Sequence, residues 1–190
     1  MNRCTVDDVL SWGPCPDYTP EVVADLFAGR ESLSVAEILD LDIPPDDRLW
    51  AVLRPEMLPE ETLGELTCRF AEDVLPIYES EYPGDNRPRH AIEVKRQWLR
   101  GAATDEELAE AQEAAEAAAR GAEATAWAAA WATARAAEAT AEAAVWAPAR
   151  AAVWAAYAAG ATWEDAHERQ VEIVGEIVRE VESSQGSGGE

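Results

Sequence analysis

The amino-acid sequence predicts an all-α protein, a multi-helix bundle with short N-terminal helices and long, alanine-rich packed helices. Three observations carry this prediction. In the segment Gly101–Gly160, 31 of 60 residues are alanine, the residue with the highest intrinsic helix propensity. Capping-box patterns, in which Ser or Thr is followed three residues later by Glu, precede helical segments at Ser34 and Thr104. No stretch alternates apolar and polar side chains in the way a half-buried strand does.

Short helices joined by tight turns are predicted for residues 1–55. Thr5, Thr19 and Ser34 each precede an apolar-periodic segment and are the predicted N-caps. The double proline Pro44–Pro45 opens a fourth short helix, because proline is well tolerated in the first helical turn.

Two longer amphipathic helices should follow. The first begins at Pro59 and carries apolar residues at spacings of three and four. Pro76 lies within this pattern and predicts a kink or an end near Val74. The stretch Tyr82–Asn86 is the clearest turn in the chain. The second helix is predicted over Arg87–Arg100.

The alanine-rich run predicts a tightly packed helical scaffold, since small side chains let helices approach one another closely. Thr104 is the predicted N-cap at its start, Gly121 separates a first helix from a second, and Pro148 predicts a kink or division in the next. Thr162 is the predicted cap of a last helix. The Gly- and Ser-rich segment Ser183–Glu190 is expected to be disordered.

We therefore predict one fold with two regions and a tail. Residues 1–100 form an N-terminal helical region, and residues 101–182 form an alanine- and tryptophan-rich helical region packed with it. Residues 183–190 form the disordered tail. A chain of 190 residues is long enough for one sizeable core.

A fifteen-residue repeat runs through the alanine-rich run. Arg120, Arg135 and Arg150 recur at this spacing, as do Trp131 and Trp146. Fifteen residues is about four helical turns, so one face recurs imperfectly along the helix. A duplicated recognition surface is one interpretation. The favoured one is expansion, at the DNA level, of a sequence that satisfies helix packing anyway.

The charge of the chain favours a basic protein partner. It carries 38 acidic and 15 basic residues, a formal net charge of −23, spread along its whole length. Such a surface repels nucleic acid and anionic membranes. We therefore expect no direct nucleic-acid binding and no membrane binding. Three cysteines without zinc-type spacing, and Asp7 and Asp8 interrupting the apolar stretch near the start, favour a reduced, cytoplasmic protein.

The sequence contains no recognisable catalytic motif. A Gly-rich phosphate loop, a nucleophile elbow and a His-Glu-x-x-His zinc helix are all missing. The two histidines, His90 and His167, lie among charged residues and are interpreted as solvated side chains. Cys4 and Cys15 lack nearby metal-ligand partners. We predict no catalytic residue, no metal site and no cofactor.

Tryptophan is the other candidate for function. Trp127 and Trp131 share a helix face, and Trp154 and Tyr157 are three residues apart. Packing between helices is the favoured interpretation, because indoles supply the apolar area that alanine cannot. An exposed protein interface is the alternative.

The segment Asp46–Arg100 carries a distinctive succession of motifs. Leu49-Trp50 begins an LW-x-x-L pattern, and a helix containing Cys68 then ends near Pro and Tyr. A YPGD-x-RPR-x-AIE turn and helix follows over Tyr82–Glu93, ahead of the alanine-rich run. This succession resembles the Imm5-like putative immunity proteins over most of residues 30–180. The resemblance implies a protein that neutralises a toxin by binding it. It supplies no catalytic residues and names no partner.

Composition and resemblance together predict a non-catalytic, immunity-type inhibitor of a toxin or nuclease. Nuclease toxins are basic because they hold phosphates, so an acidic inhibitor associates with them quickly. The predicted partner-binding residues are Asp40, Asp42, Asp46, Asp47 and Trp50.

Three other interpretations remain open at this point. One is a phage-type anti-defence inhibitor or DNA mimic, for which the distributed charge would be the active feature. Another is an enzyme with an unrecognised site near His90, using Arg87 or Arg89. The third is a homo-oligomer in which alanine helices pair between chains.

Overall fold

A computed structural model describes residues 2–138 and 146–186. Within these residues the chain forms ten α-helices and one two-stranded sheet, and it is 72% helical. The predicted all-α, multi-helix bundle is confirmed. The helices are α1 Val6–Ser11, α2 Pro20–Phe27, α3 Val35–Leu39, α4 Pro45–Val52, α5 Glu60–Glu81, α6 Arg87–Leu99, α7 Asp105–Arg120, α8 Ala124–Glu138, α9 Trp146–Ala158 and α10 Trp163–Gly186.

Side-chain caps fix where five of these helices begin: at α2 the predicted cap Thr19 accepts from the Val22 amide at 3.4 Å, and the other four caps are reciprocal. The Thr5 hydroxyl accepts a hydrogen bond from the Asp8 amide at 3.2 Å, and the Asp8 carboxylate accepts one from the Thr5 amide at 2.8 Å. The same reciprocal pairs stand at the starts of α3, α7 and α10, formed by Ser34–Glu37, Thr104–Glu107 and Thr162–Asp165. Each pair satisfies two amides that the helix itself leaves without acceptors.

A small sheet joins the N-terminus to the start of α3. Strand β1 (Arg3–Cys4) pairs antiparallel with β2 (Leu33–Ser34), with Cys4 opposite Leu33. The sequence did not indicate this sheet, because a two-residue strand is too short to show apolar alternation.

Helix α5 does not end near Val74. It continues through Pro76 as far as Glu81, so the alternative that the proline terminates the helix is wrong. Pro76 itself is exposed, whereas its neighbours Val74, Leu75 and Tyr78 are buried. Packing of this buried side outweighs the one backbone hydrogen bond that proline removes.

Helix α8 lies at the centre of the bundle, packed against α5, α6, α7 and α9. Eight of its alanines are at most 5% exposed: Ala126, Ala128, Ala129, Ala130, Ala132, Ala134, Ala136 and Ala137. Because a methyl group is the only side chain at each position, four neighbouring helices fit around one. Helices α7, α8 and α9, here called the alanine layer, form the predicted packed scaffold.

The helix boundary predicted at Gly121 is confirmed. Helix α7 ends at Arg120, immediately before Gly121, and Pro148 lies in the first turn of the described part of α9. The repeat also pairs Thr125 with Thr140, and Thr140 lies outside the described residues.

The two predicted regions share one core. A continuous cluster of buried apolar side chains extends from Cys4 to Val178, and α10 packs against α3, α4, α5 and α9. Helix α10 also includes Ser183 and continues to Gly186, inside the segment for which disorder is predicted. Residues 187–190 of that segment lie outside the described part of the chain.

Candidate functional site

The predicted partner-binding residues lie on the turn between α3 and α4 and on the first turns of α4. Helix α3 ends at Asp40, and the Ile43 amide donates to the Leu41 carbonyl at 2.9 Å within a tight turn. Pro44 then caps α4. This short, proline-stiffened connection leaves Asp40, Asp42 and Asp46 exposed.

The three exposed carboxylates line an open groove of about 760 Å³ between the α3–α4 turn and the start of α10. We call it the acidic groove. Its opposite wall includes Trp163, Glu164, His167 and Glu168. Within the described residues the carboxylates of Asp40, Asp42 and Asp46 form no ion pair or hydrogen bond.

The cation that lies in the acidic groove is already engaged. The Arg48 guanidinium pairs with the Glu168 carboxylate and donates to the Leu39 carbonyl at 2.9 Å. This contact holds α4 against α10 and α3, but it leaves the three aspartates without a countercharge. The groove therefore presents uncompensated negative charge to solvent.

A second, partly enclosed depression adjoins the acidic groove and shares Asp46, Trp163 and His167 with it. We call it the N-terminal cavity. Its volume is about 350 Å³. Of its twenty lining residues, sixteen precede residue 55 and four lie in α9 and α10. Apolar side chains such as Phe27, Leu33 and Ile38 form much of the wall.

Among the five predicted partner-binding residues, Asp47 is the one whose carboxylate accepts a side-chain hydrogen bond within the described chain. The Tyr18 hydroxyl donates to its carboxylate at 2.6 Å. Burial, reinforced by this bond to a carboxylate, raises the pKa of Tyr18 well above its ordinary value. Tyr18 therefore stays protonated and remains a donor to Asp47 at all physiological pH.

Trp50, also predicted, is half-buried and contacts its own chain. The Arg54 guanidinium lies 4.4 Å from the Trp50 ring centroid and 4.3 Å from that of Trp12. The two indoles meet edge to face at 6.4 Å. Trp50 thus lines the N-terminal cavity while fixing α1 against α4.

Sequence reasoning did not place three exposed aromatic rings beside this site. Trp154 and Tyr157 of α9 are each 52% exposed, and Trp163 of α10 is 45% exposed. The Trp163 centroid lies 5.3 Å from Trp154, 6.1 Å from Tyr157 and 5.2 Å from His167. We call Trp154, Tyr157 and Trp163 the aromatic patch. For Trp154 the core-packing interpretation is wrong; the three-residue spacing to Tyr157 was the usable signal.

The other tryptophans of the alanine-rich run divide between the two interpretations. Trp131 and Trp146 are partly buried against the main core. Trp127 is 43% exposed and stacks on Trp131 at 5.8 Å between centroids.

The distinctive turn before α6 is held together by its own charged residues. The Tyr78 hydroxyl donates to the Asp85 carboxylate at 2.6 Å, and the Arg87 amide and guanidinium donate to the same group. These bonds, with that from Arg87 the strongest, hold the pKa of Asp85 well below its usual range. Hydrogen bonds to Asp85 therefore join the turn to α5 on one side and to the start of α6 on the other.

The remaining polar residues of this turn do not converge on a shared site. The Arg89 guanidinium donates to both Glu79 carboxylate oxygens at 2.7 Å. His90 is 59% exposed and lies 3.8 Å from the Glu93 carboxylate.

Thiol chemistry is restricted to one accessible cysteine. Cys4 and Cys68 are buried and Cys15 is exposed. Burial raises the pKa of Cys68 to about 12 and also raises that of Cys4. Within residues 2–138 and 146–186, no group of three or more His, Cys, Asp or Glu side chains could hold a metal ion.

These features define an all-helical protein whose acidic and aromatic surface lies where its short N-terminal helices meet the last two helices. The family model described as "Imm-5 like putative immunity protein" matches residues 55–183. The match covers more than half of the chain, so the protein belongs to this family, and the predicted resemblance is confirmed. No curated protein and no solved structure matches the chain.

The matched range divides the candidate site. The aromatic patch and His167 lie inside residues 55–183, whereas all five predicted partner-binding residues lie before it. Among the described helices, none is both long and apolar enough to cross a membrane.

Proposed function

We propose that this protein is a non-catalytic inhibitor that binds a basic toxin, with a nuclease as the expected class, through the acidic groove and the aromatic patch. One juxtaposition carries the proposal. In a chain that belongs to an immunity-protein family, three carboxylates without a countercharge adjoin three exposed aromatic rings.

The charge of the groove suits a basic partner. Because Asp40, Asp42 and Asp46 form no ion pair within the described chain, Lys or Arg of a partner can pair with them without first breaking a bond. Complementary charge of this kind speeds diffusional encounter and sets register more than it adds affinity. The net charge of −23 acts in the same direction over longer range.

The aromatic patch supplies the apolar contact area of the proposed interface. Trp and Tyr are the side chains most enriched among the residues that dominate binding energy, since they bury large rigid areas at low entropic cost. Trp154, Tyr157 and Trp163 already contact one another, so little side-chain ordering remains for binding. Asp47 and Trp50 help to hold this surface in place through their contacts with Tyr18 and Arg54.

The turn before α6 supports a role without catalysis. Arg87 and Arg89 are held by Asp85 and Glu79, and this arrangement accounts for the distinctive YPGD-x-RPR pattern as a structural connection. Inhibition then requires only that the bound protein cover the toxin's active surface.

The test is capture of a partner from the native host lysate, with the purified chain as bait and mass spectrometry as readout. Two variants are compared with the wild type, and each removes two negative charges. Asp40→Asn/Asp42→Asn removes two carboxylates from the acidic groove. Glu106→Gln/Glu113→Gln removes two exposed carboxylates from α7, which packs on α6 and α8 away from the groove.

Wild type and the α7 variant should capture the same basic protein, and the groove variant should capture much less. Moderate salt should weaken capture, because exposed charges are screened beyond about 10 Å at 0.1 M. Equal capture by both variants, or capture only of acidic proteins, would contradict the proposal.

A further inference from the structure

The N-terminal cavity has the size and lining of a small-molecule site, which the proposed inhibitor function does not require. Its volume of about 350 Å³ falls at the lower end of the roughly 300–1,000 Å³ typical of ligand pockets. Such pockets combine apolar walls with a few convergent polar groups. Here Phe27, Leu33 and Ile38 supply apolar wall, and Asp46 and Asp47 supply negative charge.

The charge balance of the lining favours a cation. Two carboxylates, Asp46 and Asp47, oppose one guanidinium, that of Arg150, and His167 is the remaining basic side chain. Within the described residues the Asp46 carboxylate accepts no bond, and that of Asp47 accepts only the Tyr18 hydroxyl. A cationic nitrogen would therefore find acceptor oxygens that no side chain of this protein already occupies.

Aromatic rings in the same lining strengthen this preference. Tyr18, Trp146 and Trp163 line the cavity, as does Trp50, over which the Arg54 guanidinium already lies. The face of an aromatic ring attracts a cation by about 0.5–1 kcal/mol at exposed sites and about 2 kcal/mol when desolvated, and Trp is the best of these rings. Carboxylates combined with indoles form the usual recognition chemistry for ammonium and guanidinium groups.

We propose that the N-terminal cavity binds an organic cation that carries an apolar body, with the cationic group at Asp46 and Asp47 and the body against Phe27, Leu33 and Ile38. Two sources share this chemistry, a free small amine and a basic side chain of a protein. The cavity is separate from the contacts tested by the Asp40 and Asp42 variant, neither of which lines it.

Three probes of matched size test the charge preference on the purified full-length chain. Phenethylammonium, 2-phenylethanol and phenylacetate differ mainly in carrying a positive, zero or negative charge. Calorimetric titration should rank their affinities in that order. We expect the cation to bind about tenfold more tightly than the alcohol, the scale of one charge-assisted hydrogen bond.

Cys15 reports where the probe binds. It lines the cavity and is the exposed thiol, whereas Cys4 and Cys68 are buried. Saturating phenethylammonium should therefore slow alkylation of Cys15 by iodoacetamide, with phenylacetate as the control. Asp46→Asn should abolish most of this protection. Asp42→Asn, which removes an equal charge from the groove outside the cavity, should retain it.

A blocked arginine, N-acetyl-arginine amide, separates the two sources. Tighter binding of phenethylammonium identifies a free small amine as the natural ligand class, and tighter binding of the arginine derivative identifies a protein side chain. Either result supports the cation site. Failure of both cations to bind at millimolar concentration, or equal binding of phenylacetate, overturns it. Because no toxin is present, this outcome is independent of the proposed inhibition.

Discussion

The alanine layer and the N-terminal face, meaning residues 2–54 with the start of α10, use opposite packing strategies. In the alanine layer, eight alanines of α8 are at most 5% exposed and four helices surround one. In the N-terminal face, helices of five to eight residues are joined by turns, and a groove and a cavity remain between them. Long helices with small side chains close the space between them, whereas short helices with large side chains leave it open.

The two regions also differ in how their charged residues are paired. The partly buried charged residues beside the alanine layer include two paired groups: Arg96 of α6 pairs with Glu65 and Glu72 of α5, and Arg135 of α8 pairs with Glu116 of α7. In the acidic groove, Asp40, Asp42 and Asp46 pair with nothing in the described chain. Binding capacity is thus expected where packing and pairing are both incomplete.

The largest expected effect is overpacking of the alanine layer. Ala132 of α8 is fully buried, so Ala132→Leu must displace a neighbouring helix. We expect a loss of about 3 kcal/mol in the free energy of unfolding, measured by chemical denaturation. Ala109→Leu on the exposed side of α7 is the control and should change stability by less than about 0.5 kcal/mol. Equal effects at the two positions would show that the layer is not tightly packed.

The next effect concerns the turn before α6. Tyr78→Phe removes the hydroxyl that donates to Asp85 at 2.6 Å, and the partly buried carboxylate keeps only its bonds from Arg87. A bond to a charged acceptor contributes about 1.5–3 kcal/mol, so we expect a loss near the lower figure. Tyr157→Phe, which removes an exposed hydroxyl in the aromatic patch, should leave stability unchanged. If Tyr78→Phe left the free energy of unfolding unchanged, the structural explanation of the turn would be contradicted.

A smaller effect of opposite sign is expected in the N-terminal face. Ala51 is buried like Ala132, but it lines the N-terminal cavity. Ala51→Leu should fill part of that space and raise the free energy of unfolding by about 0.5–1 kcal/mol. The same substitution chemistry would then destabilise one region and stabilise the other. Strong destabilisation by Ala51→Leu would mean that the face is as closely packed as the alanine layer.

The smallest expected effect is a pH dependence at the start of α3. Bonds from the Ser34 amide and hydroxyl, aided by Arg3, lower the pKa of Glu37 from its ordinary 4.5 to about 2. A carboxylate with a depressed folded pKa stabilises the protein above its unfolded pKa and loses that contribution as pH falls. Wild type should therefore be more stable than Glu37→Gln at neutral pH, with the gap in melting temperature closing between pH 4.5 and 2. A gap independent of pH would contradict this assignment.

The sequence predicts local structure well where local chemistry decides it. The caps at Thr5, Ser34 and Thr104 are confirmed because each is a short-range hydrogen bond between residues three apart. Pro76 was harder to interpret, because its effect on α5 depends on tertiary packing of Val74, Leu75 and Tyr78. Propensity alone does not report that packing.

The candidate site was only partly predictable for the same reason. The acidic residues of the α3–α4 turn are neighbours in sequence, so their clustering could be foreseen. The aromatic patch and the cavity depend on docking of α10, which Arg48 and Glu168 join across 120 residues. No short-range pattern in a single sequence reports a contact over such a separation.

Hydrogen exchange on the complex with the captured partner tests the division between scaffold and binding face most directly. Partner binding should slow exchange in peptides covering residues 33–50 and 154–168, and it should leave peptides of α7 (residues 105–120) unchanged. Protection confined to α6 and α7, with residues 33–50 and 154–168 unaffected, would place the binding surface elsewhere and contradict the account.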